Sequence, residues 1–290
     1  MAHGITGIDH ALVGVGDLEG ARRRFERLGF TTTPRGRHDA WDTANYCIMF
    51  AGDYLELLGT VAPARTTGGL DRLLAERGEG LAGIALATAD TAQAHAALAA
   101  SGLAAAAPQA LGRSLETPEG ALRPSFTLVH LTPEAAPLSH ESLETHFRVF
   151  RCQHRTPELM RRPEWLTHAN GAAGIAAITV VTEEPGRLGH AFERLFGAGA
   201  TAMTDDTLAV FTGNGAILFV TPEDLAVLYP GVATEDVPLP YIAGLSLKVA
   251  DPERTAECLA AAGVPFTRGA EGAVRVAPKD ACGVVLQFAL

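Results

Sequence analysis

The chain has 290 residues, 47% of them hydrophobic and 19% charged, and carries a formal net charge of −10. That length allows two domains with ample buried core, while the acidic balance argues against nucleic acid as a partner, because phosphate binding is driven by basic surface. The four cysteines lie far apart with no CxxC pair, which speaks against a structural zinc site or a dense disulfide framework and fits a reducing cytoplasm. The start "MAHGITGIDH" has neither a basic region nor a long apolar one, and runs such as "AGIAAITVV" are too short to span a bilayer. A cytoplasmic chain with no membrane partner is expected.

In chain order, "GIDHALVGVGD" reads as an apolar strand, and Asp17 as the N-cap of a helix with Leu18, Ala21, Phe25 and Leu28 on one face. "NYCIMFAGDYLELLGT" then reads as a hairpin turning at Gly52 and Asp53. The same succession returns three times. It starts at "GLAGIALATAD" with Asp90 as cap, at "GIAAITVVTEE" with Glu184, and at "IAGLSLKVADP" with Asp251 followed by Pro252. Each helix leads into two or three strand-like runs, including "PSFTLVHL" and "HFRVFRCQH" in the second copy. The unit is β-α-β-β-β, four times, an α+β fold. Two copies make a first domain over 1–155 (modules 1–60 and 79–155). The Pro- and Arg-rich stretch 156–172 is a linker, and a second domain follows over 173–290 (modules 173–222 and 240–290).

The motifs "GIDHALVGVGDL", "TANYCIMFAGDYLELLG", "CQHRTPELMRRPEW" and "HANGAAGI" give the chain a resemblance to the vicinal oxygen chelate superfamily, and within it to the glyoxalase-like group. The resemblance implies that paired modules enclose a cup, often holding a divalent metal, with ligands from the first and last strand of each module. It also implies lyase, isomerase or dioxygenase chemistry on a small oxygenated molecule that chelates the metal through two oxygens. Relatives often dimerise, which leaves a homodimer open.

Alignment on the helix caps places His10 over Gly83, Ala177 and Gly244, residues with little or no side chain, as expected where a side chain would project into a cavity. Glu56 aligns with Phe219 and Gln287, and an acid inside an apolar strand is costly unless paired or metal-bound. His10 and Glu56 thus take the two ligand positions that the resemblance marks in one module. With Gly83 unable to ligate, the third ligand falls to His154 at the end of "HFRVFRCQH", or to His130. Such a set suits Fe, Mn or Zn. Glyoxalase-type relatives use four ligands, two per module, so this chain departs from them at Gly83.

Glu56 doubles as a general base and His130 as a second base. Asn45 and Trp41 are expected at the substrate. Arg162 is a candidate partner for a substrate carboxylate, with Trp165 and His168 either a lid or part of a packed strap. His3, His38, His95 and His190 read as surface residues, and the histidines of "PLSHESLETHF" do not make a metal motif. The second domain has no ligand-like set and reads as scaffold, vestigial cup or dimer surface. A metal-free protein that sequesters a ligand or drug in the same cup is the rival reading.

Overall fold

Strand β1 (Ile5–Gly14) lies between two neighbours of opposite sense in a computed structural model that describes residues 4–62, 66–131, 148–231 and 237–290. It pairs in parallel with β4 (Tyr54–Thr60) and antiparallel with β5 (Gly80–Thr88). Around them run β2 (Gly36–His38), β3 (Thr43–Met49), β6 (Gln109–Thr117), β7 (Gly120–Leu122), β8 (Ser125–His130) and β9 (Arg148–His154). The strand order is β2-β3-β4-β1-β5-β9-β8-β6-β7, and β2 also pairs with β6, so eight strands close on themselves and only β7 stays outside the ring. Closure creates an interior, and alternate residues of every strand point into it.

Residues 172–289 repeat the arrangement as an open sheet. Its strands are β10 (Ala172–Val181), β11 (Thr201–Thr204), β12 (Thr207–Phe211), β13 (Ala216–Val220), β14 (Tyr241–Val249), β15 (Thr267–Arg268), β16 (Val274–Val276) and β17 (Val285–Ala289). Helices α1 (Leu18–Arg27), α3 (Thr91–Ala100), α4 (Gly189–Phe196) and α6 (Pro252–Ala261) follow the first strands of the four modules. Helices α2 (Leu70–Arg77) and α5 (Pro222–Leu228) join modules within each sheet. Asp17, Asp90 and Asp251 cap their helices through backbone N–H groups. Glu184 does not: Pro185 opens a short 3-10 turn, and α4 begins only at Gly189, without a side-chain cap.

The repeat extends to a defect. In β1 the register slips between Ile8 and His10, leaving Asp9 as an extra bulged residue, and in β10 it slips identically between Ile175 and Ala177. His10 and Ala177 are therefore equivalent, as the caps indicate. The last strand needs a correction. Leu12 pairs with Glu56 and its equivalent Thr179 pairs with Leu218, so Leu218 stands in the place of Glu56, while Phe219 points to the other face, into the apolar core.

The outer faces of both sheets and helices α1, α4 and α6 share one apolar core, built from residues such as Ile8, Phe25, Phe192, Ile175 and Phe288. Polar clamps join the two sheets. Asn214 accepts from Ile8 N–H at 2.7 Å and donates to Ile8 C=O at 2.8 Å, and Asp53 Oδ1 accepts from Ile175 N–H at 3.0 Å. The stretch between β9 and β10 is a packed strap. Met160 and Trp165 bury against Cys47, Met49, Tyr54 and Leu115 and plug one end of the barrel. His168 accepts from Thr31 N–H at 3.0 Å and donates to Met49 C=O at 3.0 Å, a structural role. At the other end, Leu70 of α2 packs on Leu12 and Leu58.

Candidate active site

Between these two plugs the barrel keeps a small cavity. Its wall carries His10, His38, Glu56, Arg113 and His130 among apolar side chains including Trp41, Tyr54, Phe126, Leu128 and Phe150. Five chemistry-bearing side chains inside an otherwise apolar barrel are costly unless they answer one another or a ligand.

The bulge in β1 sets Asp9 beside His10. Asp9 Oδ1 accepts from His10 Nδ1–H at 2.6 Å and from His154 Nε2–H at 3.1 Å. Burial would raise the pKa of Asp9, but His154 and His10 outweigh it and hold the carboxyl well below its usual range. The ring of His10 stacks on Tyr54, with centroids 4.3 Å apart, which fixes its plane. Its other nitrogen, Nε2, faces Glu56 Oε2 at 3.5 Å.

Glu56 is the second pole. Burial would raise its pKa, but His38, His10, Arg113 and the Asn45 hydrogen bond together lower it, so it is ionised. Asn45 Nδ2 donates to Oε1 at 2.5 Å, while His38 Nε2 and Arg113 Nη1 stand 3.6 and 3.7 Å from the same oxygen. Asn45 is 1% exposed and does not line the cavity, so it positions Glu56.

His38 and Arg113 come from the seam that closes the barrel, where they are cross-strand partners. The reading of His38 as a surface residue is corrected: it is 8% exposed and lines the cavity, with Nδ1 on Thr43 Oγ1 at 2.9 Å. Burial depresses its pKa to about 4, so the ring is neutral at physiological pH. "GRH" in a polar run carries no strand signal, and only closure reveals it. Asp9 was legible in principle as an acid beside a histidine inside an apolar run.

His10, Glu56 and His154 do not converge on one point. The single Asp9 oxygen that binds both imidazoles places His154 at the Nδ1 edge of His10, and Glu56 faces the Nε2 edge. Among the described residues, the donor atoms of Asp9, His10 and Cys152 lie within 4.8 Å of one another. Burial pushes the Cys152 thiol well up, so it enters that group as a neutral thiol. His130 lines the cavity with its ring 5.0 Å from that of Phe150, and Trp41, half-buried at 5.8 Å from the His38 ring, lies there too.

Arg162 is outside the cavity: it pairs with Glu164 at 2.6 Å and stacks over Trp165. Of the other histidines, His95 and His190 are part-buried or exposed, and His3, His140 and His146 lie outside the described residues.

In the second sheet Ala177, Leu218, Gly244 and Gln287 occupy the corresponding places. The helix between its modules delivers Tyr229 onto Gly244, where an added Cβ would meet the ring at 2.9 Å. Gly244 thus makes room for a plug, and Tyr229 Oη bonds Thr179 Oγ1 at 3.0 Å.

Four βαβββ modules in two sheets, with a histidine on the first strand and a carboxylate on the last strand of one module, define a vicinal oxygen chelate fold. The chain belongs to the glyoxalase-like domain family, whose description matches residues 8–196. Among solved structures it is similar to a hypothetical protein from Staphylococcus aureus, at 12% identity and TM-score 0.67 over 97% of this chain and 98% of that one. It is also similar to a substituted 4-hydroxymandelate synthase from Streptomyces coelicolor, at 14% identity and TM-score 0.58 over 98% and 92%. A xylose isomerase-like TIM barrel/4-hydroxyphenylpyruvate dioxygenase fusion protein matches at 14% identity and TM-score 0.55 over 99% and 49%. At these identities the likeness is one of fold. No curated protein matches the chain.

Proposed function

We propose that this protein is an enzyme acting on a small oxygenated organic molecule in the N-terminal barrel, with a divalent metal held by His10 Nε2 and Glu56 Oε2. One observation carries the reading. His10 donates its Nδ1–H to Asp9, which leaves Nε2 facing an ionised carboxylate oxygen across 3.5 Å. That separation is long for a direct hydrogen bond and leaves room for a cation held by both atoms. The separation suits two ligands with bonds of about 2.0–2.2 Å to one metal. Asp9 then serves as the outer partner that orients a ligating histidine.

His38, neutral and held through Nδ1 by Thr43, stands 3.6 Å from the other Glu56 oxygen, Oε1. When bound, Fe, Mn or Zn supplies Lewis-acid polarisation of a substrate oxygen. This chain's side chains then do the proton work. Neutral His38 takes a proton next to the polarised oxygen, and His130 stands on the wall as a second proton carrier. The apolar plugs at either end limit water. That chemistry suits an isomerase or lyase. The four free cysteines fit a reducing compartment, in keeping with a cytoplasmic enzyme.

A metal-free binding protein is the second reading. It is favoured by Asn45 and Arg113, which already offset part of the charge on Glu56. Metal analysis of protein purified without chelator, beside a His10→Ala/Glu56→Ala double variant, separates the two. Near-stoichiometric metal that disappears in the variant supports the enzyme. Absence of metal together with failed reconstitution supports the binder.

A further inference from the structure

Arg113 is a buried cation whose donors are only partly met. It projects from β6 into the cavity wall and is 2% exposed, yet its Nε has no hydrogen-bond partner. Nη2 donates only to the thioether of Met160, at 3.4 Å, and Nη1 stands 3.7 Å from Glu56 Oε1, beyond hydrogen-bond reach. Its remaining company is the face of Tyr54, 6.0 Å from the guanidinium carbon, and the thiol of Cys47, kept neutral by burial that pushes its pKa to about 12. A guanidinium offers five N–H donors and stays charged, and desolvating it against sulfur and a ring face is costly unless an anionic acceptor completes the site.

We propose that Arg113 is the anion-recognition residue of the cup, and that the ligand is a small monocarboxylic acid with an apolar or aromatic body. The inference rests on the cup being the ligand site, as under the proposed function, and names the class of ligand. A guanidinium takes a carboxylate in its planar fork. The rest of the wall, Trp41, Phe126, Leu128 and Phe150, calls for an apolar body on that carboxylate. A single guanidinium that already faces Glu56 at 3.7 Å calls for no more than one added negative charge, which separates this ligand class from phosphates of higher charge. The same geometry moves the carboxylate-binding role away from Arg162, whose charge Glu164 already neutralises at the strap.

The test is calorimetric titration with benzoate and 2-hydroxy-3-phenylpropanoate, each against its primary amide, which keeps shape and removes charge. The wild-type protein is expected to bind each acid about tenfold or more tightly than its amide, the scale of a charge-assisted pair over a neutral one. Arg113→Gln is expected to bring acid and amide together, Arg113→Lys to keep part of the preference, and Arg162→Ala to keep all of it. Equal binding of acid and amide by the wild type overturns the proposal without recourse to any variant. So does a preference that persists in Arg113→Gln. Metal content measured on the same preparations keeps the two readings apart. Bound metal with no acid preference sinks the role of Arg113 alone, and acid preference without metal sinks the metal alone.

Discussion

Asp9 Oδ1 sits between two imidazoles, 2.6 Å from His10 Nδ1 and 3.1 Å from His154 Nε2, and decides what each can do. The carboxylate holds His10 by Nδ1 so that Nε2 faces Glu56, and it also binds His154.

Replacing Asp9 with Asn is therefore expected to weaken metal binding by about 10- to 100-fold, as loss of an outer-sphere carboxylate generally does, while the fold persists. Chelator competition on wild type and Asp9→Asn reads this directly. Unchanged affinity would remove Asp9 from the site.

The domain junction predicts a pH dependence of stability. Asp53 is buried beneath the second sheet, and burial outweighs the Ile175 N–H bond and the nearby Lys248 and Arg161, lifting its pKa from 3.8 to about 6. The folded state holds this proton more tightly than the unfolded one. The stabilisation is thus complete below pH 3.8 and is lost as pH rises through about 6. The span is worth about 3 kcal/mol at most. Asp53→Asn keeps an acceptor for Ile175 and cannot ionise, so its Tm above pH 6 should exceed that of the wild type and its pH profile between these values should be flatter. An unchanged profile would place the proton elsewhere.

The second cup predicts a separation of stability from function. Tyr229→Ala empties the space over Gly244 and is expected to cost about 3–5 kcal/mol, in the range of large aromatic truncations. Gly244→Ala drives a methyl to 2.9 Å from the same ring and is expected to cost about 1–3 kcal/mol. Denaturant unfolding measures both. Ligand and metal binding in the first barrel should be unaltered, because Gly244 lies in the other sheet and Tyr229 packs against that sheet.

The repeat was legible because each module announces itself through a strand, an acidic cap and an amphipathic helix; only Glu184 misled, where Pro185 diverts the chain into a 3-10 turn. His10 and Glu56 stood out as polar residues in apolar strands, and the barrel puts them face to face. What was not legible depended on closure. His38 and Arg113 meet only when a three-residue strand joins β3 to β6, a long-range pairing with no local signal. Phe219 was misaligned by one position because strand ladders, not helix caps, set which face a residue takes. Arg162 drew attention as a charge near a Trp, but the strap folds it onto Glu164.

The central claim is that His10 Nε2 and Glu56 Oε2 share one cation. Calorimetric titration of Mn(II) into chelator-treated wild type, Glu56→Gln and His154→Ala tests it most directly. The account predicts one site in the wild type, a loss of about 100-fold or more in Glu56→Gln, and a loss within about tenfold in His154→Ala, whose effect passes through Asp9. No binding by the wild type, wild-type affinity in Glu56→Gln, or an equal loss in His154→Ala would contradict it.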